Sequence, residues 1–229
     1  MPEPRFKSDY RNFLKVLVAK KEPFYAHTAI LTRHSPFFRK YLEQDVVEIK
    51  KTTEILLPDD DPTVFDHFLD WCYTGKLKFR YLPGANADES PDSTSDMYPL
   101  VKLYLFAGKT QTERLKMDII RTIYDQTPDI KEISVRTCVL VCRSLSPSDG
   151  LRQLIERWFV IYGTSDHFST MLLTKAPDFV HTIISTILQL SKTQTKLSWA
   201  FRSLEYYLER ASCDRGPMKD EKELVGIHE

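Results

Sequence analysis

Phe13-Leu14-Lys15-Val16-Leu17-Val18 is rich in apolar, β-favouring side chains and flanked by polar residues, a pattern that predicts a strand. Lys20-Lys21-Glu22-Pro23 supplies a turn and Phe24-Tyr25-Ala26 a return strand, so the first unit reads as a hairpin. From Thr28 the period changes to helical, with Ala29, Ile30 and Leu31 in a short helix. Ser35-Pro36 starts a second helix: Ser35 can accept a hydrogen bond from a free backbone N–H, and Pro36 suits a first position that needs no donor. Phe37, Phe38, Tyr41 and Leu42 follow at helical spacing. Glu54-Ile55-Leu56-Leu57 predicts a third strand, ended by Pro58. Asp61-Pro62 repeats the cap-then-proline signal, with Val64, Phe65, Phe68, Leu69 and Cys72 on one face behind it. Gly75 then stops the helix.

Gly84 to Asp96 carries no large apolar side chain and predicts an exposed, mobile loop, bounded at about residues 84–97. Leu100, Leu103, Tyr104 and Ala107 mark the next helix, expected to end at Gly108. Thr110 with Glu113 has the spacing of a capping box for another, whose inner face is Leu115, Ile119 and Ile123. Thr127-Pro128 breaks that run. The remainder reads as helical: Ile133 to Leu145, then Leu151 to Tyr162 after Ser146-Pro147-Ser148-Asp149-Gly150, then Phe179 to Leu188 begun near Pro177, and last Leu197, Phe201, Leu204 and Leu208. Beyond Ser212 the chain is charged and polar, the composition of a frayed tail.

Composition narrows the class of activity. The 229 residues suffice for a sizeable core. Lys plus Arg number 32, as do Asp plus Glu, so no overall basic field draws the chain to nucleic acid, and none is expected as a direct partner. Four cysteines without a paired framework fit a reducing compartment. No apolar run reaches membrane-spanning length and the start Met1-Pro2-Glu3-Pro4 has no signal core, so the expectation is an intracellular protein, cytoplasmic or nuclear, with no membrane partner.

The ordered series Phe24-Tyr25-Ala26-His27, Leu31, Ser35-Pro36-Phe37-Phe38, Leu56-Leu57-Pro58-Asp59-Asp60, Phe65, Phe68-Leu69 and Trp71-Cys72-Tyr73-Thr74-Gly75-Lys76-Leu77 resembles the BTB/POZ domain. The likeness spans about Phe13 to Thr127. It implies an α+β fold, a small mainly three-stranded sheet with surrounding helices, followed here by an all-helical extension. The expected organisation is a BTB/POZ domain at 1–127, a helical extension at 128–212 and a disordered tail at 213–229. Ser146-Pro147-Ser148-Asp149-Gly150-Leu151-Arg152 before an aromatic-rich helix is similar to the extension of fungal BTB proteins. The resemblance implies a non-catalytic protein–protein interaction module mediating self- or hetero-association.

Two places bear on the partner. The repressor-type BTB domains carry an Asp in the first strand and a base after the family His. Here those positions hold Phe13 or Leu14, and Thr28, which counts against a transcriptional regulator acting through a corepressor and against the family's usual dimer. The adaptors of cullin-based ubiquitin ligases carry a hydrophobic-x-Glu element before the next strand, and Val46-Val47-Glu48 sits in that interval. Its apolar side chain would fill a cullin pocket and its carboxylate would add a charged contact. Self-association remains an expectation, with Phe13, Leu14, Val16 and Val18 as the candidate dimer strand.

Chemistry-bearing motifs are thin. Thr74-Gly75-Lys76-Leu77 lacks the rest of a phosphate loop, and no Gly-x-Ser-x-Gly or His-Glu-x-x-His occurs. Asp59-Asp60-Asp61 lacks the alternating ligands of a calcium loop. Cys138 and Cys142 share a helix face without a second ligand pair, and read as buried apolar side chains. His27 has no ligand cluster beside it. No catalytic residue, metal or cofactor is expected.

Overall fold

The structure, a computed structural model, describes residues 12–19, 22–47, 54–77, 97–130, 132–164, 168, 170–192 and 202–211. The strands are β1 (Phe13–Val18), β2 (Glu22–His27) and β3 (Glu54–Leu57). They form one sheet in the order β2-β1-β3, with β2 antiparallel and β3 parallel to β1. Helices α1 (Thr28–His34), α2 (Pro36–Val47) and α3 (Pro62–Thr74) surround the sheet, followed by α4 (Tyr98–Lys109) and α5 (Glu113–Gln126). A 3-10 turn at Thr127–Asp129 leads to α6 (Val135–Ser144), α7 (Gly150–Tyr162), α8 (Thr170–Lys175), α9 (Pro177–Lys192) and α10 (Leu204–Ala211). This is the expected α+β architecture with a helical extension.

Alternation along β1 sends Leu14, Val16 and Val18 inward, where Ile55 and Leu57 of β3 and Ala26 of β2 join them. Phe38, Phe65, Phe68 and Phe106 meet in the core, the last two in edge-to-face contact at 5.2 Å. Burying each such ring contributes about 1.5–3 kcal/mol. Local signals act as the chain predicts. The Ser35 hydroxyl caps α2 by accepting the Phe38 N–H, and it donates to the Thr110 carbonyl at 2.6 Å, tying α2 to the α4–α5 turn. Asp61 accepts the Thr63 N–H at 2.9 Å, and Gly75 ends α3 at φ +65°, its N–H donating to the Trp71 carbonyl.

Several expectations are corrected. α4 runs through Gly108 to Lys109, and the capping box of Thr110 does not form. Thr110 instead donates back to the Phe106 carbonyl, and Thr112 occupies the cap of α5 without a side-chain capping bond, its hydroxyl meeting that of Thr110 at 3.0 Å. α6 starts at Val135 on a Ser134 cap, two residues past the expected Ile133. Met97, at the expected end of the mobile loop, is 4% exposed in the core. The loop itself, Leu197, Phe201 and the tail beyond Ser212 lie outside the described residues.

The two halves share one core that runs from Leu14 to Ala211. At their seam the Tyr104 hydroxyl donates to Asp149 at 3.1 Å, and the Lys116 ammonium lies 4.6 Å over the Tyr104 ring and 4.0 Å from the Asp149 carboxylate. Asp149 also caps α7 by accepting the Leu151 N–H. Nearby, Arg152 is buried, donating to Glu156 at 2.9 Å and to the Leu145 carbonyl at 3.1 Å.

Candidate functional site

The second parity of β1, Phe13, Lys15 and Leu17, points away from the core. Register decides its neighbours. Phe13 lies opposite His27, Lys15 lies between Tyr25 and Glu54, and Leu17 lies between Pro23 and Leu56. The outer face of the sheet is therefore a platform of apolar and aromatic side chains around one ion pair, Lys15 Nζ to Glu54 Oε2 at 3.2 Å. Phe13, Tyr25 and Leu56 remain 53, 63 and 59% exposed. A sheet face turned to water ordinarily carries polar side chains, so this concentration of apolar surface on a mixed sheet is the informative departure.

Tyr73, near the end of α3, extends the platform. The His27 backbone N–H donates to its hydroxyl at 2.9 Å, and the same hydroxyl meets His27 Nδ1 at 2.8 Å. The His27 ring stacks on Phe13 at 4.4 Å between centroids. His27 is thus a clamp that holds one edge of the platform, with its Nδ1 engaged by Tyr73.

The residues singled out from sequence fall in different places. Of the expected dimer strand, Leu14, Val16 and Val18 are 2, 0 and 0% exposed, so their side chains are not offered to a partner. β1 is also the middle strand, paired with β2 from Phe13 to Val18 and with β3 from Lys15 to Val18, which leaves little of it open for pairing. Phe13 alone of the four reaches the surface. Val46 and Val47 form the end of α2, while Glu48 lies outside the described residues. Tyr25, Leu56 and Tyr73 were missed as site residues. The signal that could have found the first two is the period-two alternation of β2 and β3, which puts Tyr25 opposite in parity to buried Ala26, and Leu56 to buried Ile55 and Leu57.

A second feature is a groove of about 260 Å³ between the start of α3 and α4, floored by Val64, Leu105 and Phe106. Four of the charges that line it pair, Lys109 with Asp60 and Lys102 with Asp61. Burial raises the Asp61 pKa, but the hydrogen bonds from Lys102 and the Thr63 N–H outweigh it and leave the carboxyl net below its ordinary value. Burial raises two thiols, pushing Cys72 up to about 12 and Cys142 up to about 11. Among the described residues no three His, Cys, Asp or Glu side chains gather as metal ligands do, and no helix is long and apolar enough to cross a membrane.

Comparison with known proteins gives this platform a setting. Residues 13–100 match the BTB/POZ domain. The chain is 38% identical over 88 residues to the Mus musculus protein "TD and POZ domain-containing protein 1-like", covering 38% of this chain and 23% of that one. The Mus musculus "TD and POZ domain-containing protein 1" matches over the same length at the same identity. A third mouse protein, "TD and POZ domain-containing protein 4", is 26% identical over 146 residues, covering 62% of this chain and 38% of the relative. The chain therefore aligns with less than two fifths of the length of these relatives.

Proposed function

We propose that this chain, which carries a BTB/POZ domain, is a non-catalytic protein–protein interaction module that works through the outer face of its sheet. The observation that carries this is the exposure of Phe13, Tyr25 and Leu56 on one face of the sheet. Rigid aromatic anchors lose little conformational entropy on binding, and such residues dominate interface energetics. An intracellular setting fits the free thiols of Cys72, Cys138 and Cys142. The likeness of the Ser146–Arg152 stretch to fungal BTB extensions supports an extension that buttresses the domain. The test is quantitative affinity purification with the full chain as bait, beside Tyr25→Lys with Leu56→Ser and a control, Leu188→Ser, at an exposed position of α9. Partners should be lost with the platform variant and kept with the control. Identical recovery by all three baits would remove the platform from the function.

A second reading, substrate adaptor of a cullin-based ubiquitin ligase, is favoured by Val46 and Val47 ending α2 just ahead of β3. A pull-down with a cullin N-terminal domain tests it. Binding should occur and be abolished by Val46→Asp with Glu48→Ala; no binding, or binding indifferent to that pair, sinks it. A corepressor-linked regulator has less support, since Phe13 and Thr28 stand where the charges of that class would be.

A further inference from the structure

We propose that Ser146, in the turn between α6 and α7, is a phosphoacceptor for a proline-directed serine/threonine kinase in the folded chain. It stands independently of the sheet face and of what that face binds.

A kinase of this class transfers phosphate to a hydroxyl whose next residue is proline. Proline has no backbone N–H, so a pocket that offers that position no acceptor strands a donor with any other residue and none with proline. The chain holds such dipeptides at Ser35-Pro36, Ser90-Pro91, Thr127-Pro128 and Ser146-Pro147. Ser90 lies outside the described residues, and the fold separates the other three. Ser35 is fully buried, its hydroxyl held between the Phe38 N–H and the Thr110 carbonyl. Thr127 is 3% exposed, and its hydroxyl donates to the Ile123 carbonyl at 2.8 Å. Ser146, Pro147 and Ser148 are all exposed, and the Ser146 hydroxyl meets that of Ser148 at 3.0 Å.

Backbone shape suits the transfer as well, since a peptide-binding cleft takes its segment extended. Leu145, at the end of α6, is extended at φ −119° and ψ 141°, and Pro147 biases Ser146 the same way. Ser35 is extended too, at φ −125° and ψ 113°, so burial and not conformation sets the two serines apart. Two hydrogen bonds hold the turn, from the Asp149 N–H to the Ser146 carbonyl at 3.0 Å and from the Gln153 side-chain amide to the Pro147 carbonyl at 3.1 Å. Opening them leaves the packed faces of α6 and α7 in place, which makes this a local event and not an unfolding one.

In the transfer the Ser146 Oγ attacks the γ-phosphorus of ATP. The Oγ–P bond forms as the bond from phosphorus to the β,γ-bridging oxygen breaks. ADP leaves with that electron pair, and the hydroxyl proton passes to a carboxylate of the kinase. The product adds about 1.5–2 negative charges to the turn, three residues after exposed Arg143 in the last turn of α6, which offers a counter-charge.

The experiment treats the full chain carrying Ser90→Ala with a purified mitogen-activated protein kinase and Mg-ATP, and reads each site by mass spectrometry. Thermal melts confirm that the treated chain is folded. A digest of the same chain by cleavage after glutamate is the comparison without a fold, since it puts Ser35, Thr127 and Ser146 on separate peptides. The rate at Ser146 relative to Ser35 or Thr127 should be about tenfold or more higher in the folded chain than in the digest. Pro147→Ala should slow labelling of Ser146 about tenfold or more. A Pro147→Ala chain that did not fold would be assayed as its digest, where the need for proline reads the same. Four results overturn the proposal: no phosphate on Ser146 in the folded chain, transfer to Ser144 or Ser148 in its place, the same relative rates in folded chain and digest, or a Ser146 rate that Pro147→Ala leaves unchanged.

Discussion

Asp149 does three jobs with one carboxylate: it caps α7, accepts the Tyr104 hydroxyl and faces the Lys116 ammonium. Burial dominates its electrostatics and raises its pKa, with the charge of Lys116 and the hydrogen bonds of Leu151 and Tyr104 opposing the shift without cancelling it. The folded protein therefore binds the Asp149 proton more tightly than the unfolded chain does. Stability from this group is greatest at low pH and declines as pH rises from the unfolded value of 3.8 through the higher folded one. Asp149→Asn keeps a cap and an acceptor and removes the titration, so at neutral pH it should sit within about 1 kcal/mol of the parent, whereas Asp149→Ala removes the α7 cap and the carboxylate that accepts the Tyr104 hydroxyl and should cost about 1–3 kcal/mol. Urea midpoints at pH 7 and pH 4 read this directly. On acidification the parent should gain on the Asn variant; if it loses ground instead, Lys116 outweighs burial and the sign assigned here is reversed.

At the scale of elements, α7 and α10 touch through Gly150. A Cβ there would stand 2.9 Å from the Tyr207 carbonyl carbon and closer still to its oxygen, so the backbones approach as only glycine permits. Gly150→Ala should push α10 away and cost about 1–3 kcal/mol, as overpacking does. Hydrogen exchange should quicken across Leu204–Ala211 while the amides of β1 stay protected; unchanged exchange in α10 would show that the contact can yield without loss. The sequence signals that proved readable are those whose cause is local. Ser35 with Pro36, Asp61 with Pro62, and Gly75 each satisfy or terminate their own helix, and each does so in the structure. Gly150 was readable only as part of a turn, because the constraint on it comes from a helix more than fifty residues later. β1 formed over the expected Phe13–Val18, but which of its faces turns inward was not legible, for a related reason. Its two parities are both largely apolar, so the pattern alone does not say whether Leu14, Val16 and Val18 or Phe13 and Leu17 face the core. The parallel pairing with β3, which makes β1 the middle strand, is a non-local choice that no turn between them encodes. The platform residues Tyr25 and Leu56 become a site only once that register joins them.

Over the whole molecule, helices stand on both sides of Thr127 and the core does not stop there. Buried side chains continue from the sheet through α4 and α5 into α7, α9 and α10. Polar bonds cross the boundary as well: Tyr104 to Asp149, Lys116 to the same carboxylate, and the Tyr124 hydroxyl to the Arg202 carbonyl at 3.3 Å. A chain cut after Asp129 would keep the entire platform and expose the side of α4 and α5 that the extension covers, leaving Lys116 without its carboxylate. The full chain should therefore unfold in one transition by both near- and far-ultraviolet circular dichroism. The truncated chain should melt lower by roughly 5–10 °C, the shift that a loss of a few kcal/mol gives in a domain of this size, and should bind a hydrophobic dye in its folded state. If the truncated chain instead melts at the temperature of the full one and binds no dye, α6 to α10 form a separate module attached to a self-sufficient domain, and the seam at Asp149 contributes nothing to holding the platform in shape.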